Sequence, residues 1–291
     1  MKSKLTKLTI ILFFILILLN KDIMYITIYK TTLIWFKNIV PNLLPMFIIS
    51  SLIVSSNLII NICNILGRPF QYIFNINKYG VYVYILSLIS GSPSNAKYIK
   101  DLRDNNLINK DEQDKLLTFT MNYNPILIIS LLSLYLPLNI SYKILITIIL
   151  ANFITGIIMR NKKDCFNNNT IHVKKTNISI IIKDTLDTLL MILGTLIFFN
   201  LIINLIPIYI PIIKNILNGI LEITTSLSSL QYINISLNIK ILLTLIYLSF
   251  GGLSIHTQIK SILPDTNYKI LLKSRIVCIF VSLILWCLFI I

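Results

Sequence analysis

The chain has 291 residues, 56% of them hydrophobic and 13% charged, with a mean hydropathy of +0.82. A soluble domain of this length needs far more polar surface, and several apolar tracts approach or exceed the roughly 18–20 residues that cross a bilayer. The net charge of +15, from 26 basic and 11 acidic residues, sits mostly in short links between the tracts. That is how a multi-pass protein of the cell membrane fixes its orientation, so the charge points to a lipid bilayer and not to nucleic acid.

The chain opens "MKSKLTKLTIILFFILILLN". No small-x-small cleavage site follows the apolar run, which predicts an uncleaved membrane helix over 7–20 with a cytoplasmic N-terminus. A second apolar segment covers 40–62, with Pro41 and Pro45 near its start, where proline is tolerated. A third, 79–91, runs into "SGSPSNAKYIKDL". Residues 101–116 are dense in charge and are expected in water or at the interface. Tracts 117–137 and 142–159 read as a pair of spans joined by a turn near Pro137. The link that follows, with Arg160, Lys162, Lys163, Lys174 and Lys175, is the strongest cytoplasmic signal. A segment at 186–206 comes next, then a proline-opened region at 207–238 with a short or interfacial helix around 212–226. Tracts 239–254 and 270–291 complete the chain.

Both flanks of 79–102 fall on the cytoplasmic side of this count. A simple span there breaks the count, whereas a re-entrant hairpin with its tip at "GSPSN" satisfies it. Non-helical backbone is allowed at membrane depth where protein or a water-filled cavity buries it. A second break follows in "LIYLSFGGLSIHTQIKSIL". Aligning Gly91 with Gly251 gives a shared G-x-x-S-x-x-x-x-I-K. Segments 40–62, 79–102 and 117–137 would form one unit, and 186–206, 239–262 and 270–291 the other. Paired broken helices in inverted units are a layout of secondary transporters. If 239–262 is a hairpin, Lys260, Lys269, Lys273 and Arg275 lie outside, against the charge rule; if it spans, they lie inside. Both topologies stay open at this point. The expected divisions are an anchor helix at 1–30, a first membrane half at 31–160, a cytoplasmic basic loop at 161–178 and a second half at 179–291.

Gly91 and Pro93 end one helix. Ser92 or Ser94 can cap the next, and Asn95 offers both donor and acceptor. "NYNP" puts Asn122 and Asn124 beside Pro125, where proline frees a carbonyl and kinks a helix. Past Gly251 and Gly252, Ser254 and Gln258 share a helix face, while His256 points elsewhere. Opposed helix ends with these side chains suit a small polar solute; the competing reading is a turn whose serines only satisfy the backbone. Asp184 and Asp187 complement a helix dipole at the start of the sixth segment, and Glu222 pairs with Lys214 at the interface. Cys63, Cys165, Cys278 and Cys287 have no CxxC spacing, and His172 and His256 add no ligand set. No metal, cofactor or catalytic set is expected, so the chain does not read as an enzyme. Homo-oligomerisation is left open.

Five blocks carry a resemblance: "VPNLLPMFIISSLIV", "SGSPSNAKYIKDL", "NYNPILI", "IKDTLDTLLMILGTLIFF" and "FGGLSIHTQIKSI". In this order they resemble the sporulation integral membrane protein YlbJ family, whose members look like the nucleoside-recognition or Gate domains of nucleoside transporters and of the ferrous iron transporter FeoB. The resemblance implies an all-α polytopic bundle with two Gate-like repeats, each with a broken or re-entrant helix. It also implies a part in spore formation. Together with the breaks, it suggests transport or gating of a small polar solute. The alternative is a non-transporting scaffold for sporulation or envelope partners.

Overall fold

A computed structural model describes residues 2–56, 58–160 and 177–290. The basic link between the halves, with Cys165 and His172, lies outside the described residues. Among those described, the only β pairing is one isolated bridge between Gly91 and Tyr123. Everything regular in the described residues is helical, and five stretches among them are long and apolar enough to cross a membrane.

Helix α1 is Lys2–Leu19 and α2 is Lys21–Ile34. A π-helical turn at Trp35–Ile39 joins α2 to α3, Val40–Ser55. The widened turn comes just before Pro41, whose missing N–H removes one rung of the α-helical ladder. The membrane-length stretch is therefore Lys21–Ser55 and not 40–62. Lys30 and Lys37 interrupt its apolar run in the sequence, but both stand exposed. α4, Leu58–Phe74, is a separate amphipathic helix. α2 and α3 run antiparallel to α10, Ile178–Leu205. Asn204 Nδ2 donates to Thr27 Oγ1 at 3.3 Å, and Trp35 Nε1 to the Leu189 carbonyl at 3.1 Å. α10 begins well before 186, capped by Asn177, so Asp184 and Asp187 lie beyond its first turn.

The chain then breaks in two ways. α5, Gly80–Ser90, and α6, Ser94–Asp104, fold back on each other. The rings of Tyr82 and Tyr98 lie 6.4 Å apart. Tyr82 donates to the Ser50 carbonyl at 2.9 Å while Asp101 accepts from Ser51 at 2.9 Å, so both ends of the hairpin meet one patch of α3. α7, Lys110–Phe119, and α8, Pro125–Leu132, instead keep one direction across an extended stretch at 120–124. Both pack against α9, Leu138–Ile158. The expected continuous span at 117–137 is not formed. Pro125 stands at the first turn of α8, where its missing donor costs nothing, so it starts a helix and does not kink one. Eight residues rise only about 12 Å, too little to cross alone.

The same two break types recur after α10. α11, Pro211–Leu221, and α12, Ile223–Ser229, form a second hairpin turning at Glu222. Asn215 Nδ2 donates to the Ser226 carbonyl and to Ser229 Oγ, both at 2.8 Å. α13, Leu237–Phe250, and α14, Gly252–Ile262, are separated at Gly251 and do not fold back. They run antiparallel to α15, Tyr268–Ile290, through Ser249–Ser282 at 2.8 Å and His256–Tyr268 at 3.2 Å. The fold-back in this half is thus at 211–229, and 239–262 is a broken span. Aligning Gly91 with Gly251 equates a hairpin tip with a straight break. By geometry the tip at 91–93 matches Glu222, and 120–124 matches 250–252.

α7 runs parallel to α15. Gln113 meets Thr266 at 3.5 Å, Asp114 accepts from the Asn267 N–H at 3.0 Å, and Thr118 meets Arg275. Hence α7–α8 is antiparallel to α13–α14. Packing is reciprocal: α6 lies on α14 as α12 lies on α8, and α7 on α15 as α13 on α9, while α9 and α15 pack on each other. Within 101–116, Asp104, Lys110 and Asp111 are exposed as expected, but the later part is not left in water. Glu112, Gln113, Asp114 and Lys115 are buried, because α7 is wedged against α9 and α15. Glu112 closes a capping box with Asn109 and also accepts from the Asn77 N–H at 2.9 Å.

Candidate functional site

Three breaks meet in the interior. The Ser92 N–H donates to the Asn122 carbonyl at 2.7 Å, tying the hairpin tip to the extended stretch. Tyr123 then donates its hydroxyl to the Leu248 carbonyl at 2.7 Å, tying that stretch to the end of α13. Gly91 is required here: its φ is +78°, and a Cβ would lie 2.4 Å from the Asn124 nitrogen. Gly251, at φ +96°, would bring a Cβ to 2.9 Å from Met121 Cε. The second hairpin tip reaches the same region, since Gly252 stands against Leu221 and Ile223.

The hairpin tip holds polar atoms that the protein leaves unused. Among the described residues five buried side-chain oxygens lack a hydrogen-bond partner, and Ser92 Oγ, Ser94 Oγ and Asn95 Oδ1 are three of them. Neither serine caps α6; the cap position is Pro93 and carries no side-chain bond. Ser94 Oγ faces the Tyr98 hydroxyl without closing a bond of good geometry. The amide of Asn95 has a defined sense. Thr120 Oγ1 donates to the Leu116 carbonyl at 2.8 Å, so it must accept from Asn95 Nδ2 at 3.2 Å. Asn95 Oδ1 is thereby left as a free acceptor in a fully buried position. Such atoms cost free energy unless something else meets them.

Asn122 takes another role. It passes a directional chain from a buried cation. Arg275, 1% exposed, donates Nη1 to Asn152 Oδ1 at 3.0 Å and Nη2 to the Thr118 carbonyl. Asn152 Nδ2 donates to the Met121 carbonyl at 3.0 Å and to Asn122 Oδ1 at 3.2 Å. Asn122 Nδ2 donates to Ser87 Oγ at 2.9 Å, and Ser87 donates to the Tyr84 carbonyl at 2.7 Å. Each group has one consistent donor–acceptor sense, so the chain locks α15, α9, the extended stretch and α5 together. Arg275 also meets the carbonyl end of α7, where a cation is favoured. In the sequence Arg275 counts only as one of a run of basic residues after the second break, and Asn152, Thr120 and Ser87 carry no assigned role, since their partners lie far off in the chain. Only the rule that a membrane-depth cation needs partners marks Arg275.

The remaining expected residues are satisfied within the protein. Asn124 caps α8, accepting from the Leu127 N–H at 3.1 Å. Gln258 does share a face with Ser254, donating to it at 3.3 Å, and it reaches Thr195 on α10 at 2.9 Å. His256 stacks on Phe250, with Nε2 at 2.8 Å from the Phe250 carbonyl and Nδ1 at 3.2 Å from the Tyr268 hydroxyl. Glu222 does not pair with Lys214. It caps α12, accepting from Thr224 N at 3.0 Å and Thr225 N at 2.8 Å. Lys97 and Asp101 form a buried ion pair at 2.7 Å on α6, away from the tip.

No family model matches the chain, and no solved structure matches it. It is similar to the sporulation integral membrane protein YlbJ of Bacillus subtilis (strain 168). The two are 26% identical, over 81% of this chain and 69% of the relative. That similarity, the helical fold and the five membrane-length stretches among the described residues describe one kind of molecule: a multi-pass integral membrane protein that resembles the sporulation integral membrane protein YlbJ.

Proposed function

We propose that the protein moves or gates a small polar solute across the membrane during spore formation, and that the hairpin tip at 91–95 is where the solute binds. The observation that carries this is the set of unused buried oxygens on Ser92, Ser94 and Asn95 at the meeting point of the breaks. Helix ends α6, α8 and α14 point their starts at the same region, and a solute can use both the free side-chain oxygens and the helix-terminal groups.

The reciprocal packing supports two inverted Gate-like halves, 31–160 and 179–291, with α5–α6 and α11–α12 re-entrant from opposite sides. Arg103, Lys110, Arg160, Lys183, Lys269 and Lys273 gather at one end of the bundle, which supports reading that end as the cytoplasmic one. The lysine-bearing N-terminus belongs at the same end. With 239–262 spanning, the lysines that follow it obey the charge rule.

The test uses the full chain in proteoliposomes given a small-molecule extract of sporulating cells, with uptake read by mass spectrometry. A solute taken up by the wild type and not by Asn95→Ala supports the proposal. If Asn95→Ala takes up the solute at the wild-type rate, the tip is not the site. If the wild type accumulates nothing above protein-free vesicles, the scaffold role replaces transport.

A further inference from the structure

A crevice of about 270 Å³ opens between α14 and the start of α15, away from the converging breaks. Leu253, Thr257, Lys260 and Ser261 line it at helical spacing from one face of α14, and Tyr268 closes it from α15. Thr257, Lys260 and Ser261 are exposed, so the crevice faces outward from the bundle; His256, 2% exposed, is its floor.

Its polar groups are biased towards donors. Lys260 Nζ lies 5.8 Å from the Tyr268 ring centroid, and none of the ion pairs among the described residues involves it. The Phe250 carbonyl can only accept, so His256 carries a proton on Nε2, and in the neutral ring its Nδ1 accepts from Tyr268. Floor and back wall are therefore internally satisfied. That leaves the ammonium of Lys260 and the hydroxyls of Thr257 and Ser261. The Ser261 hydroxyl now donates only within its own helix, to the Thr257 carbonyl at 2.9 Å. A compact anion rich in oxygen acceptors meets that set; a neutral or cationic group does not.

The crevice lies at the end of the bundle where Arg103 meets Asp265 and where Lys269 and Lys273 stand. Further along α15, Ile276, Phe280 and Ile284 are exposed at i, i+4 and i+8, an apolar stripe of the kind that lies along acyl chains. We propose that this crevice binds a phosphate group, supplied by an acidic phospholipid of the leaflet at the basic end.

The full chain in detergent would be titrated with phosphatidylglycerol, with phosphatidylcholine and with inorganic phosphate. Retained lipid is read by native mass spectrometry and melting temperature by fluorescence. Phosphatidylglycerol should be retained and raise the melting temperature, and Lys260→Gln should weaken it about fivefold. Thr257→Val, which keeps the charge, should weaken it less. Lys214→Gln, at the other end, should not change it. A shift by inorganic phosphate alone, lost in Lys260→Gln, keeps the phosphate site and assigns its source to the soluble ion. Equal retention of phosphatidylcholine, or undiminished phosphatidylglycerol binding by Lys260→Gln, overturns the proposal.

Discussion

Asn95 shows how much a single residue can say once its partners are fixed. The sequence marks it as a polar residue in an apolar tract. Only the hydroxyl of Thr120, already committed to Leu116, shows which end of its amide is free. Asn124, two residues past Asn122, looks equally eligible in sequence and is a helix cap. The two should separate cleanly by mutation. Asn95→Ala leaves Thr120 one donor short and should cost about 1 kcal/mol or less, while abolishing solute uptake. Asn124→Ala should cost about 1 kcal/mol by loss of a cap and leave uptake in the surviving fraction unchanged. Thermal unfolding in detergent beside vesicle uptake distinguishes them. Gly91→Ala should be the more damaging change. A positive φ and a backbone contact inside van der Waals distance together predict a loss of roughly 1–3 kcal/mol, read as a lowered melting temperature.

At the scale of elements, both kinds of interruption follow local chemistry, but one was more legible than the other. Gly91, Pro93 and the serines announce the first hairpin, and the crossing count asks for a turn there. The extended stretch 120–124 carries a weaker signal: "NYNP" announces an interruption at Pro125, but nothing in Thr120 or Met121 says how far before it the helix ends. What holds it extended lies far away in sequence: Arg275 takes the Thr118 carbonyl that a continuing helix would have used, and Asn152 takes the Met121 carbonyl, which Pro125 has no N–H to meet. The second hairpin was hidden for a similar reason, since Glu222 reads as half of an interfacial ion pair with Lys214. A cap needs only backbone N–H groups, and α12 supplies two. Arg275→Met should leave the Thr118 carbonyl unmet and Asn152 Oδ1 with only the weak Cys278 thiol donor at 3.5 Å, and destabilise the fold by about 1–3 kcal/mol. Amide exchange should rise first at 120–124. Arg275→Met combined with Asn152→Leu should cost less than the sum of the two, since both act through one chain.

For the whole molecule, the end of α6 and the start of α7 are joined to the α14–α15 loop by a polar latch. Arg103 donates to Asp265 at 2.5 Å and to Gln113 at 2.7 Å, while Gln113 reaches Asp265 at 3.2 Å. The hydrogen bond from Arg103 holds the Asp265 carboxyl below its usual range. The sign follows: the latch is complete above the ordinary aspartate pKa and weakens as pH falls through the lowered value. Because the pair is exposed, it should also weaken with salt. A fluorescence pair across the 104 and 264 loops should separate on acidification. Asp265→Asn should remove that pH dependence without unfolding the protein.

The central claim is that the two hairpins enter from opposite ends of the bundle. Single cysteines at Lys110, Lys269 and Tyr209, placed in a chain freed of its native cysteines and labelled in intact cells with an impermeant thiol reagent, test it directly. Positions 110 and 269 should behave alike and stay unlabelled until the membrane is opened, while 209 should label from outside. Labelling of 209 and 110 from the same side, or of 110 and 269 from different sides, would contradict the inverted arrangement.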